Sequence, residues 1–237
     1  DAIVRMALRR PYLYLLVTLV ISIVLMEVLV EIAEHTFIKP ALQQLELQFI
    51  AYVQQFVTPP LTAEVMLVTA SGSSTFYLLA SALVCCWYLY SRQKDRLYLY
   101  LVCLCGGGIL NQVLKRIFER VRPDIFPVIA ESGYSFPSGH AMGAICFYGI
   151  LAYFAGLGLR SKPLRWGLMA AAGIYILLIG LSRVYLGVHY PTDILAGYAA
   201  GATWLFFVLR CIVFLESVIK GAAAVVIKIC FGFVYAK

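Results

Sequence analysis

Apolar residues fall along this chain in six long blocks, roughly 11–30, 72–90, 97–117, 140–158, 166–183 and 192–209, each closed by a short polar cluster. Crossing the hydrocarbon of a bilayer takes about 20 helical residues, so each block predicts a membrane-spanning helix. Two stretches depart from this rhythm. Residues 35–60 are mixed in polarity, with Ile38, Leu42, Leu45, Leu47, Ile50 and Val53 forming an apolar stripe before Pro59 and Pro60. That pattern predicts an amphipathic helix lying at the membrane interface, with His35 an ordinary interfacial histidine. The run after Pro60 continues to Tyr90, longer than one crossing needs, so its first turns are expected outside the hydrocarbon. Within it, Ser71 to Thr75 supplies small residues that let helices approach closely. The tail from Cys211 to Lys237 is apolar but carries Glu216, Lys220 and Lys228. A seventh span would bury Lys228, so an extension of the sixth span plus an interfacial segment is expected there. The predicted fold class is all-α: one integral membrane domain, 1–237, built as a six-helix bundle with extracytoplasmic loops and an interfacial helix.

Composition excludes the soluble alternatives. Of 237 residues, 62% are hydrophobic and 13% charged, too apolar for a water-soluble domain. The net charge of +7 does not point to nucleic acid, because the cations sit in short clusters between apolar runs and not on one solvated face. Arg5, Arg9 and Arg10 precede the first span, and no small-residue cleavage pattern follows it, which predicts an uncleaved anchor. Its far end carries Glu27, Glu31 and Glu34 on one helical face, marking emergence into water. Arg92, Lys94 and Arg96, then Arg160, Lys162 and Arg165, share a side with the first cluster in a six-span alternation, and the positive-inside rule makes that side cytoplasmic. Seven cysteines lie in or beside apolar runs without metal-ligand spacing, as small buried hydrophobes would.

Lys115, Arg116, Arg120, Arg122 and Arg183 fall on the opposite side and break the rule, as a local anionic ligand would require. Three clusters at consecutive span ends carry the chemistry. In the first, Lys115 and Arg122 are seven residues apart and share a face as long as the helix persists, while Pro123 places Arg122 where helix gives way to loop. An ammonium and a forked guanidinium on one face suit a phosphoryl group. Arg116 and Arg120 either meet lipid headgroups or bind a second phosphate, the former being favoured. In the second cluster, Phe136-Pro137-Ser138-Gly139-His140, Ser138 is a candidate N-cap and the helix start a natural anion site. In the third, Arg183 ends the fifth span, His189 lies in the turn, and Pro191 is suited to open the sixth. Asp193 follows His189 by four residues, close enough to accept a hydrogen bond from one imidazole nitrogen. Which histidine attacks, His140 or His189, spacing does not decide, although Asp193 leans toward His189. The loop from Asp124 to Phe136 is unusually apolar, with Ile125, Phe126, Val128, Ile129 and Tyr134; it either flanks an access path for a lipid or packs on the spans.

Lys115-x6-Arg122-Pro123, Pro137-Ser138-Gly139-His140 and Ser182-Arg183-x5-His189-x3-Asp193, in that order, resemble the three signature motifs of the type-2 phosphatidic acid phosphatase superfamily. The motifs cover residues 115–193, and every signature position matches. The same motifs occur in soluble vanadium-dependent haloperoxidases, which the hydropathy argues against. The resemblance implies a membrane lipid phosphatase with its site on the outer face of the cytoplasmic membrane. It implies a catalytic set of His189 as nucleophile forming a phosphohistidine, Asp193 orienting it and His140 as general acid. Lys115, Arg122, Ser138, the Gly139 backbone and Arg183 would hold the phosphoryl oxygens, with no metal and no cofactor. The expected substrates are phosphatidylglycerophosphate, phosphatidic acid or undecaprenyl pyrophosphate. A phosphotransferase passing the phosphoryl group to a lipid acceptor would share the first half-reaction, whereas a non-catalytic lipid-binding or transport protein with a degenerate site would lack one of the histidines or arginines, and none is missing. Membrane lipids are the expected surroundings, and no obligate protein partner is evident.

Overall fold

The two signals that stop a helix in this chain, a serine placed to cap the next one and a proline at its first turn, recur at nearly every junction. The structure, a computed structural model, describes residues 40–124 and 127–210 together with Leu16, Val17, Val20, Val24, Glu27 and Glu31. The predicted first span and its basic cluster, His35, and the tail 211–237 fall largely outside the described residues. The chain divides into two units, and the one spanning Leu25–Leu205 holds every residue of the candidate site.

Seven helices are described: α1 (Pro40–Gln54), α2 (Pro59–Ala70), α3 (Ser74–Tyr90), α4 (Lys94–Phe118), α5 (Gly139–Gly158), α6 (Lys162–Tyr185) and α7 (Pro191–Arg210). Four of them, α4 to α7, are long and apolar enough to cross a membrane, and α2 with α3 makes a fifth crossing if the bent pair counts as one span. The span expected over 72–90 is met by α3, while the run before it, expected as first turns leading into that span, is the separate helix α2. The backbone breaks at Ser71–Ser73 and turns by 50°. Ser73 caps α3 by accepting from the Phe76 N–H at 3.2 Å, and Ser71 Oγ donates to the Val68 carbonyl at 2.7 Å, so both serines satisfy backbone groups that the break exposes. Between them Gly72 is required by contact: a Cβ there would lie 2.5 Å from Ile179 Cγ2. Ser161 caps α6 in the same manner, accepting from the Leu164 N–H at 3.5 Å, and Pro191 opens α7 as its sequence position implies.

Helix α4 ends sooner than the lysine-to-arginine spacing requires. Phe118 is its last residue, and Glu119 takes a left-handed conformation, φ 45°, that turns the chain away. Arg120 and Arg122 consequently lie in extended chain, not on the face that carries Lys115. Within α5, Ile145–Gly149 forms a π-helical turn, and its Cys146 carbonyl accepts from the Cys103 thiol at 3.6 Å. Cys103 and Cys146 are buried as expected, but Cys86 and Cys105 are exposed.

Helix α6 is central, packing against α1, α2 and α5. Ile50, Ala141, Val184, Tyr190 and Ile194 form one buried cluster that joins α1, α5, α6 and α7 at the end where the polar clusters lie. The α1 stripe holds at Leu42, Leu47, Ile50 and Val53, but Leu45 is 61% exposed and points away with Phe49, Tyr52 and Phe56. Outward-facing Leu78, Leu83, Trp87 and Ile174 belong against hydrocarbon. Since lipid is as apolar as leucine, helices in a bilayer associate through close approach of small residues more than through apolar burial. Gly197 of α7 shows this: a Cβ there would lie 2.7 Å from the Ser138 carbonyl oxygen and 3.0 Å from Ala141 Cβ.

Gly197→Leu should therefore cost about 1–3 kcal/mol through overpacking and lower the thermal midpoint in detergent, whereas Gly173→Ala, where a Cβ meets nothing within 4 Å, should leave it unchanged. Equal midpoints for the two variants would count against a tight α5–α7 contact.

Candidate active site

The three polar clusters converge. The end of α4, the start of α5, the end of α6 and the start of α7 meet at one end of the helices, as their alternation predicts. A cavity of about 690 Å³ opens there, lined by Lys115, Arg122, Glu131, Gly139, His140 and His189. From these residues it continues between α3 and α4 past Tyr77, Leu78, Leu101 and Leu104.

His189 is the most tightly specified of them. Its ring is 1% exposed, and Nδ1 lies 3.2 Å from Asp193 Oδ2. That oxygen also accepts the Tyr190 N–H at 2.9 Å, closing the turn that carries the histidine. With Asp193 ionised, Nδ1 carries the proton and Nε2 presents its lone pair. Burial pushes the imidazole down to about 3; Asp193 opposes the shift, and Arg122 and Arg183 reinforce it. The ring is thus neutral at neutral pH, the form a nucleophile requires. Arg122 Nη1 sits 3.1 Å from Nε2 and donates to the Val188 carbonyl at 2.9 Å. His140 lies in the first turn of α5, where Ser138 accepts from the Ala141 N–H at 3.5 Å.

Of the expected phosphate-binding residues, Lys115, Arg122 and Gly139 face the cavity. Arg183 lies at its edge, 2% exposed, and donates to Thr69 Oγ1 at 2.7 Å. Ser138 is fully buried, and its hydroxyl is engaged as the helix cap while its N–H donates to the Asp193 carbonyl at 2.9 Å. The cations are gathered by a segment that spacing did not single out. Lys115 donates to the Tyr134 carbonyl at 2.6 Å; Arg122 donates to the carbonyls of Gly133 at 3.0 Å and Ser132 at 3.3 Å. The Glu131 carboxylate pairs with Arg122 at 3.4 Å and also with Arg183. Four consecutive residues thus hold three cations, with one carboxylate placed between the two guanidinium groups. The only sequence signal for Glu131 is an acid in the middle of an apolar loop.

Two residues earlier in that loop are packed. Val128 and Ile129 lie against Tyr185, Leu186 and Val188, and the Val128 N–H donates to the Leu186 carbonyl at 3.0 Å. Of the two alternatives for this loop, packing on the spans describes Val128 and Ile129; Ile125 and Phe126 lie outside the described residues. Asn111, one turn before Lys115, was also not singled out. It donates to the Pro137 carbonyl at 3.2 Å and so ties α4 to the turn that leads into α5.

Arg120 corrects a second expectation. It does not meet headgroups: it is 8% exposed and donates to Asp193 Oδ1 at 2.6 Å and Glu46 Oε2 at 2.6 Å. Glu46, on the buried face of α1 one turn before Ile50, was missed because local spacing gives no cue to a partner so distant in sequence.

Residues 96–216 match the family model described as the PAP2 superfamily. The chain is 40% identical over 157 residues to phosphatidylglycerophosphatase B of Bacillus subtilis, covering 65% of this chain and 76% of that protein. It is 28% identical over 138 residues to undecaprenyl-diphosphatase BcrC of the same organism, covering 54% of this chain and 65% of that one. Among solved structures, a transmembrane PAP2-type phosphatidylglycerolphosphate phosphatase from Bacillus subtilis superposes with a TM-score of 0.74 at 32% identity, over 79% of this chain and 93% of that one.

An unfolded imidazole takes a proton near pH 6.5 and the buried His189 only near 3. Between these values the unfolded chain binds one more proton, so stability is full above about pH 6.5 and falls as pH drops toward 3, by at most about 1.4 kcal/mol per unit. Thermal midpoints measured from pH 7 to pH 4.5 should fall less in His189→Gln than in the parent; identical slopes would show that the imidazole is not buried neutral.

Proposed function

The chain belongs to the PAP2 superfamily of membrane lipid phosphatases, and from the geometry of its site we propose that it cleaves a lipid phosphomonoester or diphosphate through a phosphohistidine on His189. The observation that carries this reading is the cavity itself: a neutral imidazole held by Asp193 shares it with Lys115, Arg122 and a helix start, Arg183 is linked to it through Glu131, and an apolar groove leaves the same space between α3 and α4. Phosphatidylglycerophosphate and undecaprenyl diphosphate are the substrates that the named relatives point to, with phosphatidic acid a further candidate.

In this mechanism the phosphoryl group lies among Lys115, Arg122 and Arg183, with the N–H groups of Gly139 and His140 at the start of α5 completing the cradle. The Nε2 lone pair of His189 attacks phosphorus in line, the bond from phosphorus to the lipid oxygen breaks, and His140 gives that oxygen its proton. The imidazole becomes positively charged as Nε2 acquires its phosphoryl substituent, and Asp193 at Nδ1 stabilises that charge. Water then attacks the phosphohistidine, with His140 taking its proton, and inorganic phosphate leaves. The hydrocarbon tail occupies the groove past Tyr77, Leu78, Leu101 and Leu104, which gives the enzyme access to a substrate that never leaves the bilayer. This groove replaces the apolar loop as the proposed access path.

The topology proposed is six spans, the five crossings of the described residues preceded by one over 11–30. The basic clusters at Arg92–Arg96 and Arg160–Arg165 face the cytoplasm, and the site faces the periplasm or exterior. Glu131 places its carboxylate on the guanidinium groups that this mechanism assigns to the phosphoryl oxygens. Substrate and Glu131 therefore compete for the same charges.

Purified protein in detergent should release phosphate from lipid monophosphates or diphosphates with chelator present, and His189→Ala should abolish release. Release lost on chelation would overturn the reliance on protein cations alone, and turnover retained in His189→Ala would overturn the nucleophile. Glu131→Gln should lower KM for a short-chain phosphate monoester roughly three- to tenfold, an ion-pair-sized effect in a partly buried site, and tighten inhibition by inorganic phosphate in parallel. A raised KM would mean that Glu131 contacts the substrate favourably.

A further inference from the structure

Asp193 has two sides. His189 and the Tyr190 N–H occupy Oδ2, while Oδ1 is held by Arg120 at 2.6 Å, on the face away from the cavity. Arg120 also donates from Nη1 to Thr192 Oγ1 at 2.8 Å and from Nη2 to Glu46 Oε2 at 2.6 Å. The other oxygen of Glu46 accepts the Thr192 N–H at 3.0 Å and the Thr192 hydroxyl. The Arg120 guanidinium stacks 3.8 Å over the Tyr190 ring. Glu46 is 4% exposed and Asp193 0%. The contacts of Arg120 and Glu46 join α1, the chain after α4 and the first turn of α7, and neither residue lines the cavity.

The cluster also carries charge. One guanidinium faces two carboxylates, so the cluster carries a net charge of −1 beside a neutral His189. When the imidazole becomes positive, the total becomes zero. If Arg120 had Asp193 as its sole acidic partner, the pair would already be neutral and the carboxylate would offer the imidazolium little net field. Glu46 divides the guanidinium charge and leaves Asp193 able to act on His189. At the low effective dielectric of a buried site such a redistribution is felt strongly.

We infer that Arg120 and Glu46 are positioning residues for the phosphoryl-transfer step: Arg120 fixes the Asp193 carboxylate against His189, and Glu46 holds Arg120 so that the cluster keeps the negative charge that the phosphohistidine requires. The inference rests on the reading of His189 as nucleophile. It also makes α1, whose opposite face is exposed and apolar, part of the catalytic apparatus although it contributes no group to the cavity.

The experiment is rapid-quench measurement of phosphoenzyme formation with a radiolabelled short-chain lipid phosphate, alongside steady-state kinetics and thermal midpoints, for the parent, His189→Ala, Glu46→Gln, Arg120→Met and the double variant. Glu46→Gln keeps an acceptor oxygen and loses the charge. Phosphoenzyme formation and kcat should fall roughly tenfold or more in Glu46→Gln and further in Arg120→Met, with KM within about twofold of the parent, because the loss is one of transition-state alignment and not of substrate binding. The double variant should be no slower than Arg120→Met, since Glu46 acts through Arg120. Arg120→Lys, which restores charge without the fork, should recover part of the rate. Unchanged labelling rates in Glu46→Gln and Arg120→Met would overturn the inference while leaving the nucleophile in place, as would a rise in KM at constant kcat or additive effects in the double variant. Acid-labile label that persists in His189→Ala would instead overturn the reading on which the inference rests. If Arg120→Met does not fold, Glu46→Gln alone decides, because it conserves shape and acceptor geometry.

Discussion

An ionised carboxylate with no exposed surface sits where the polar clusters meet, and much of the local structure can be understood as what keeps Asp193 charged. An unpaired buried charge costs several kcal/mol, more than most single contacts return, so each of its oxygens must be met by donors. One oxygen is met locally, by the His189 ring and the Tyr190 N–H, because a turn leading into a helix brings residues four apart together. The other is met by Arg120, which comes from the far side of the loop after α4. Arg120, itself buried, then requires Glu46. A charge set by one short turn thus recruits two other elements, and the His189 ring is oriented by the whole arrangement.

The positive half of the site obeys the same constraint from the opposite direction. Lys115, Arg122 and Arg183 repel one another at close quarters, and Glu131 with the carbonyls of Ser132, Gly133 and Tyr134 answers that repulsion. A cradle suited to a phosphoryl group is one that any anionic group of similar reach can enter, and the loop supplies one from its own sequence. In the proposed mechanism this segment and the phosphoryl group compete for the same cations.

Positioning of these groups depends on how closely the helices approach. Gly72 brings the break between α2 and α3 against α6 and the His140 ring, and Gly197 brings α7 onto the cap of α5. In hydrocarbon such contacts do more for association than apolar area does, so the rigidity of the site derives from small residues several turns long in their effect. The groove between α3 and α4 is the complement of that packing: where the helices do not close, a cavity connects the charged pocket to the lipid-facing surface.

The sequence by itself determined the helical class, the positions of the described crossings to within a few residues, and the meeting of three polar clusters at one end. Each of these follows from periodicity, length or alternation along one dimension. It also determined the His189–Asp193 hydrogen bond and the start of α7 at Pro191, since a turn and its helix are local. Tertiary structure alone decided that α4 stops at Phe118, that the α2–α3 run is bent, that Arg120 turns inward, and that Glu46 and Glu131 belong to the charge network. Arg120 meets Asp193 and Glu46 across 73 and 74 residues of chain. No local spacing encodes such a pairing; it arises because charges excluded from water must find one another in the folded protein.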